Sequence, residues 1–205
     1  KLLGKAVWAY AEKCGARFEK ARIEGIAAGQ GGVTLMLADG STRQAKWLVL
    51  AAGAWSHLLA RNLGGHIPLE TERGYNTTLP ASAFDVERQL IFSGHGFVIT
   101  PLSTGLRVGG AVELGGIERA PNYARSRALL AKAQKFLPGL DPGGGREWMG
   151  FRPSLPDSRP VIGKAKDAPN VVYAFGHGHL GLTQGAATGR LIRELVLEQT
   201  PALDL

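Results

Sequence analysis

The chain has 205 residues, 44% of them hydrophobic and 20% charged, with a formal net charge of +7. That length suits one domain, or one and a half, with enough apolar content for a core. No window approaches the roughly 18 apolar residues of a membrane span, and the single cysteine, Cys14, excludes an internal disulfide framework and fits a reducing compartment.

Residues 1–14 place Leu2, Leu3, Ala6, Val7, Tyr10, Ala11 and Cys14 at helical spacing, which predicts an amphipathic helix closed by Gly15. A helix that begins at residue 1 without a cap or leader leads us to expect that sequence precedes it. Phe18 to Ile26 reads as a strand. "VTLML" (33–37) and "STRQA" (41–45) flank Asp39-Gly40, a strong hairpin signal. "WLVLAAG" (47–53) is a continuous apolar run, as expected of a strand buried on both faces. A short helix follows over roughly 55–63.

From Ile67 the texture turns β-rich, with a hairpin expected around Ser103-Thr104-Gly105. A helix is predicted near 122–137, ending at Pro138-Gly139. "NVVYAF" is another buried-type strand, and Leu182–Glu198 is a closing helix. The basic residues are scattered, and their densest stretch, "ARSRALLAKAQK" (124–135), reads as the wet face of that middle helix. This argues against nucleic acid as a partner. The expected location is the cytoplasm, and the positive charge leaves peripheral contact with an anionic inner membrane open.

Between the last strand and the last helix, Gly176, Gly178 and Gly181 spell G-x-G-x-x-G. A dinucleotide fingerprint of this kind works inside a βαβ unit. Only residues 182–205 follow Gly181, and a helix takes up nearly all of them, so no strand returns to the sheet. His177 and His179 are spaced like metal ligands, but His57, His66 and His95 stand apart from them, so no metal is expected. A tight strand-to-helix turn would explain one or two glycines. Three, followed by Thr183 and a small-residue helix face (Gly185, Ala186, Ala187, Gly189), favour a ligand at the helix N-terminus, where free N–H groups meet it.

Several motifs in order carry a resemblance. "LVLAAGAWS" (48–56), "ERGYNTTLP" (72–80), "MGFRPSLPDSRPVIG" (149–163) and "NVVYAFGHGHLGLTQGAATG" (170–189) are similar to segments of the FAD-dependent amine and D-amino-acid oxidoreductase family. That family includes D-amino-acid oxidase, glycine oxidase and bacterial D-amino-acid dehydrogenase. The resemblance covers essentially the whole chain, whereas the family's N-terminal G-x-G-x-x-G unit, which holds the FAD pyrophosphate, has no counterpart in it. It implies a mixed α+β and α/β fold: the remainder of an FAD-binding Rossmann-like domain (1–66 and 170–205) carrying an inserted, β-rich, mostly antiparallel substrate domain (67–169). The missing FAD-binding segment is then an expected partner.

The same resemblance implies site residues. Ile23 would lie against the adenine by its backbone. Ala51, Ala52, Gly53 and Trp55 would line the FAD. Gly176, His177, Gly178, His179, Leu180, Gly181, Leu182 and Thr183 would bring backbone N–H groups to the flavin pyrimidine edge, where the reduced ring carries negative charge. Arg152 would pair with a substrate carboxylate through the planar two-point bond a guanidinium makes, and its place in the G-x-R-P motif prefers it to its neighbours Arg146 and Arg159. Tyr75, Phe97 and His95 are weaker pocket candidates.

Cys14 lies too early in the chain to attach the cofactor, so the FAD expected is non-covalent. The implied reaction is hydride transfer from the α-carbon of a D-amino acid or small amine to flavin, giving an imine that water hydrolyses to the keto acid. Positioning does most of the work, and no acid or base is named. A sarcosine or other secondary-amine oxidase, and a non-catalytic binding module, are the alternatives.

Overall fold

The computed structural model describes residues 2–29 and 31–203. Helix α1 (Leu2–Lys13) forms where the periodicity places it, but its apolar stripe is not buried: Leu2, Leu3, Val7 and Tyr10 are exposed. Strands β1 (Ile23–Gly29), β2 (Gly32–Leu37) and β3 (Thr42–Ala45) make a three-stranded antiparallel sheet. The first strand begins five residues later than Phe18, the start expected from the sequence. The reason is pairing, since the ladder starts where Ile23 faces Leu37, the last residue of β2, and beyond it the chain has turned away after the Ala38 N–H donates to Arg22 O. The β2–β3 turn is the expected one: Ser41 donates to Asp39 Oδ1 from both its backbone and its hydroxyl, and Gly40 takes φ +82°.

Strand β4 (Leu48–Leu50) is followed by a single 3-10 turn (Gly53–Trp55) and helix α2 (Ser56–Arg61). The run 47–53 is not buried on both faces as its composition predicts. Leu50 is buried, but Val49, on the opposite face of the strand, is 41% exposed.

A five-stranded antiparallel sheet follows, built from β5 (Glu70–Leu79), β6 (Leu90–Phe92), β7 (Phe97–Leu102), β8 (Gly105–Leu114) and β9 (Arg146–Ser154) in the order β6-β7-β8-β5-β9. Helix α3 (Ala124–Phe136) packs against one face. Alternation along β5 decides what each face receives. Thr71, Arg73, Tyr75, Thr77 and Leu79 point to the α3 side and are all buried, whereas Glu72, Gly74, Asn76 and Thr78 point to the other.

Finally β10 (Val161–Ala165) and β11 (Ala168–Phe175) lead into helix α4 (Gly181–Val196). β11 runs antiparallel to β10 and parallel to β4. Thus β10, inside the stretch read from sequence as the β-rich insertion, is hydrogen-bonded into the smaller sheet, and the two sheets divide between Ser154 and Val161.

Two apolar cores result. One joins Ile26, Val33, Leu50, Ala60, Val171, Tyr173 and Phe175. The other joins Leu79, Phe97, Ile99, Leu106, Val108 and Ala133 beneath α3.

Candidate active site

Because β4 and β11 are parallel neighbours, with Leu48–Leu50 beside Val171–Tyr173, the chain leaves both at the same edge. The crevice beyond the carboxyl ends of parallel strands is where open α/β sheets bind ligands. Ala51–Trp55 emerges from β4 and Gly176–Leu180 from β11, so the sheet itself brings together two stretches that lie more than a hundred residues apart. Ala51 is exposed, Ala52 and Gly53 are half-buried, and Gly53 takes φ +56°. The Trp55 ring packs edge-on against Phe151 at 5.3 Å, tying this turn to β9. Ile23 joins from a third element: with Trp55, Leu58 and Leu59 it lines a groove of about 690 Å³.

The second loop is held in shape by backbone that suits glycine. Gly176 has φ +87°, and a Cβ there would lie 2.4 Å from Leu155 Cδ1. Gly178 has φ +51°, and its N–H donates to Pro153 O at 2.8 Å, anchoring the loop to the end of β9. His177 is half-buried and shares a hydrogen bond with Thr188 Oγ1 at 2.9 Å, and burial holds its pKa below the ordinary value. His179, Leu180, Gly181, Leu182 and Thr183 are exposed around the start of α4. His177 and His179 therefore turn to different partners. Among the described residues no group of three or more potential metal ligands stands together.

Arg152 occupies the open face of the five-stranded sheet, near the anchored loop. Gly74 and Gly150 face each other across β5 and β9 and leave a floor without side chains. The guanidinium lies over Gly74, where an added Cβ would come within 2.4 Å of Cζ. The Trp148 ring covers Gly150. Nη1 of Arg152 is buried and has no hydrogen-bond partner, and neither has Oδ1 of Asn76 on the same face. A buried guanidinium nitrogen without a partner is costly unless a ligand supplies one. Of the other two arginines in this stretch, Arg146 and Arg159 are both exposed.

Tyr75, Phe97 and His95 are not beside Arg152, which corrects the expectation that they line its pocket. Tyr75 points to the α3 side, donates to Glu113 Oε2 at 2.5 Å and accepts from the Asn122 N–H at 3.0 Å. Burial, then the Glu113 bond, raises its pKa, while that bond and the charges of Arg125 and Arg73 hold Glu113 low against burial. Phe97 stacks on Phe92 at 4.4 Å inside the α3 core. His95 lies on the rim against Phe136. Strand parity separates Tyr75 and Phe97 from the open face, and aromatic content alone could not show it.

Three residues escaped the sequence reading: Gly74, Trp148 and Glu72. Their signal was strand alternation, since pairing Glu72 with Arg152 and Gly74 with Gly150 puts all of them on the arginine's face.

Two parallel strands thus open onto a crevice, and the antiparallel sheet joined to them presents an arginine nitrogen without a partner. The profile of the FAD dependent oxidoreductase (DAO) family matches residues 2–195, and the chain belongs to that family. It is 35% identical over 195 residues to a D-amino-acid oxidase of Bradyrhizobium diazoefficiens, covering 93% of this chain and 46% of the relative. It is also 35% identical to a D-amino acid dehydrogenase of Paramagnetospirillum magneticum, over 83% of this chain and 41% of the relative. The chain thus spans about half the length of the curated relatives it matches.

Among solved structures, iminodiacetate oxidase from Chelativorans superposes with a TM-score of 0.82 at 22% identity, covering 100% of this chain and 56% of that one. Glycine oxidase from Geobacillus kaustophilus superposes with a TM-score of 0.77 at 24% identity, covering 92% and 51%. These last two likenesses establish the shared fold, mixed α/β with antiparallel sheets.

Proposed function

We propose that this chain forms the substrate-side part of an enzyme that uses non-covalent FAD to oxidise the C–N bond of a D-amino acid or small amine. Residues 1–66 and 170–205 would belong to its FAD-binding domain and 67–169 to its substrate domain, with β10 packed onto the former. A segment outside these residues would hold the pyrophosphate, in keeping with the 46% of the Bradyrhizobium relative that the chain covers.

The residues fit the flavin. Three stretches converge on the edge of the β4–β11 pair: Ile23 in the groove of about 690 Å³, Ala51–Trp55 beside it, and the glycine turn Gly176–Thr183 with its exposed helix start. When bound, FAD would accept the two electrons that leave with the α-hydrogen as the C–N bond becomes C=N.

The chain's own residues bind and orient. Arg152 Nη1 is free to donate, and a substrate carboxylate supplies two accepting oxygens for its planar fork. The glycine floor seats the guanidinium, and Trp148 offers an apolar wall to the substrate side chain. Fixing the carboxylate fixes the α-carbon, and such positioning is worth several kcal/mol of barrier. The D-amino-acid class rests on the Bradyrhizobium relative, named a D-amino-acid oxidase. No membrane-crossing helix is present among the described residues, and we place the reaction in the cytoplasm, with the net charge of +7 favouring the inner-membrane surface.

The buried, unpartnered Arg152 nitrogen carries this reading. In the FAD-loaded enzyme Arg152→Met should raise KM for D-amino acids by about 100-fold, the loss expected for a charge-assisted bidentate pair. Steady-state kinetics on D-alanine check it. An unchanged KM would take Arg152 out of the site.

A further inference from the structure

Glu72 is the natural partner of Arg152, yet the two are not paired. They face each other directly across the β5–β9 ladder, and opposite residues on one face have Cβ atoms about 4.5–5.5 Å apart. An acid and a base so placed ordinarily form an ion pair. Here Glu72 turns toward the loop after β11, where His179 Nε2 lies 2.7 Å from Glu72 Oε2. A carboxylate can only accept, so Nε2 carries the hydrogen and donates it. Arg152 leans the other way, onto Gly74, and its Nη1 stays without a partner.

We propose that His179 is a positioning residue that holds Glu72 away from Arg152 and so keeps the guanidinium free for the substrate carboxylate. This rests on the assignment of Arg152 to the carboxylate. Two features make the arrangement a device rather than a surface contact. His179 belongs to the loop that is itself pinned to β9 by the Gly178 N–H to Pro153 O bond, so its imidazole is presented from a fixed backbone. Glu72 is 30% exposed, open enough to change partner, and Arg152 is the cation across the ladder from it. If His179 were absent, Glu72 would compete with the substrate for the same nitrogens, and the apparent affinity would fall by the fraction of arginine it occupies.

The experiment is equilibrium binding of benzoate, a plain carboxylate, to FAD-loaded enzyme by calorimetry, normalised to flavin content. The variants are His179→Ala, Glu72→Gln, their combination, and Arg152→Met. His179→Ala should weaken binding about tenfold if Glu72 then holds Arg152 nine-tenths of the time. Glu72→Gln alone should bind at least as tightly as the parent. The double variant should recover to within about threefold of it, because an amide no longer competes for the cation.

A merely structural histidine would give the same loss in both backgrounds, so failure of the double variant to recover overturns the proposal. It is overturned equally if His179→Ala binds benzoate normally while Arg152→Met does not, an outcome that leaves the assignment of Arg152 standing. Normal binding by Arg152→Met removes the assignment itself and the latch with it.

Discussion

At the residue scale the site turns on Arg152 and the emptiness beneath it. The motif around residues 149–163 singled out this arginine from Arg146 and Arg159, and the structure gives it a buried nitrogen with no partner. What the motif could not show is Gly74, because a glycine on a neighbouring strand matters only once the register is known. A Cβ at 74 would meet all three terminal atoms of the guanidinium within 2.5 Å. Gly74→Val should therefore push the guanidinium off its floor and weaken carboxylate binding by about tenfold or more, a loss on the scale of one misplaced charge-assisted bond. Benzoate titration of the FAD-loaded variant checks it, and parental affinity would mean that the floor is not part of the site. Tyr75 and Phe97 illustrate the opposite failing of sequence. Both sit on strands of the same five-stranded sheet as Arg152, but parity turns each to the buried α3 side.

At the scale of elements, the loop between β11 and α4 carries most of the legible chemistry. Three glycines ahead of a helix lead to the expectation of a ligand at its N-terminus, and the same glycines match the pattern of a dinucleotide fingerprint. The structure explains the glycines locally: Gly176 has Leu155 against its missing Cβ, and Gly178 hands its N–H to Pro153. His177 adds a pH dependence to this loop. Burial lowers its pKa in the folded protein, so the unfolded chain takes up the proton first as pH falls. The stabilisation is complete above the ordinary histidine value of about 6.5 and is lost as pH drops through it toward the lower folded value. Melting temperature measured between pH 8 and pH 5 (about the span over which histidine titrates) should fall more steeply for the parent than for His177→Gln. Parallel curves would show that His177 charges as easily folded as unfolded. The strand β4 was misjudged for a different reason. An apolar run reports a preference for burial, whereas exposure of Val49 depends on which neighbours are present, and that information is tertiary.

Across the whole molecule, two cores meet where the 3-10 turn at Trp55 packs on Phe151 and where the β11–α4 loop hangs from Pro153. Cofactor edge and substrate face are joined at β9, so a shift of the five-stranded sheet would move Arg152 relative to the crevice. The elements of both cores were legible because their periodicities are strong and their turns carry Gly, Asp and Pro. The allotment of β10 was not, since a short strand between prolines carries no mark of which sheet it will join.

The central claim is that this crevice holds FAD within reach of an amine whose carboxylate Arg152 binds. Its most direct test is the visible spectrum of the native enzyme under anaerobic conditions, before and after addition of D-alanine. A yellow protein that bleaches with D-alanine, and whose Arg152→Met form stays yellow at the same concentration, is the predicted result. A protein that carries no flavin, or a flavin indifferent to every D-amino acid and small amine, would contradict the account.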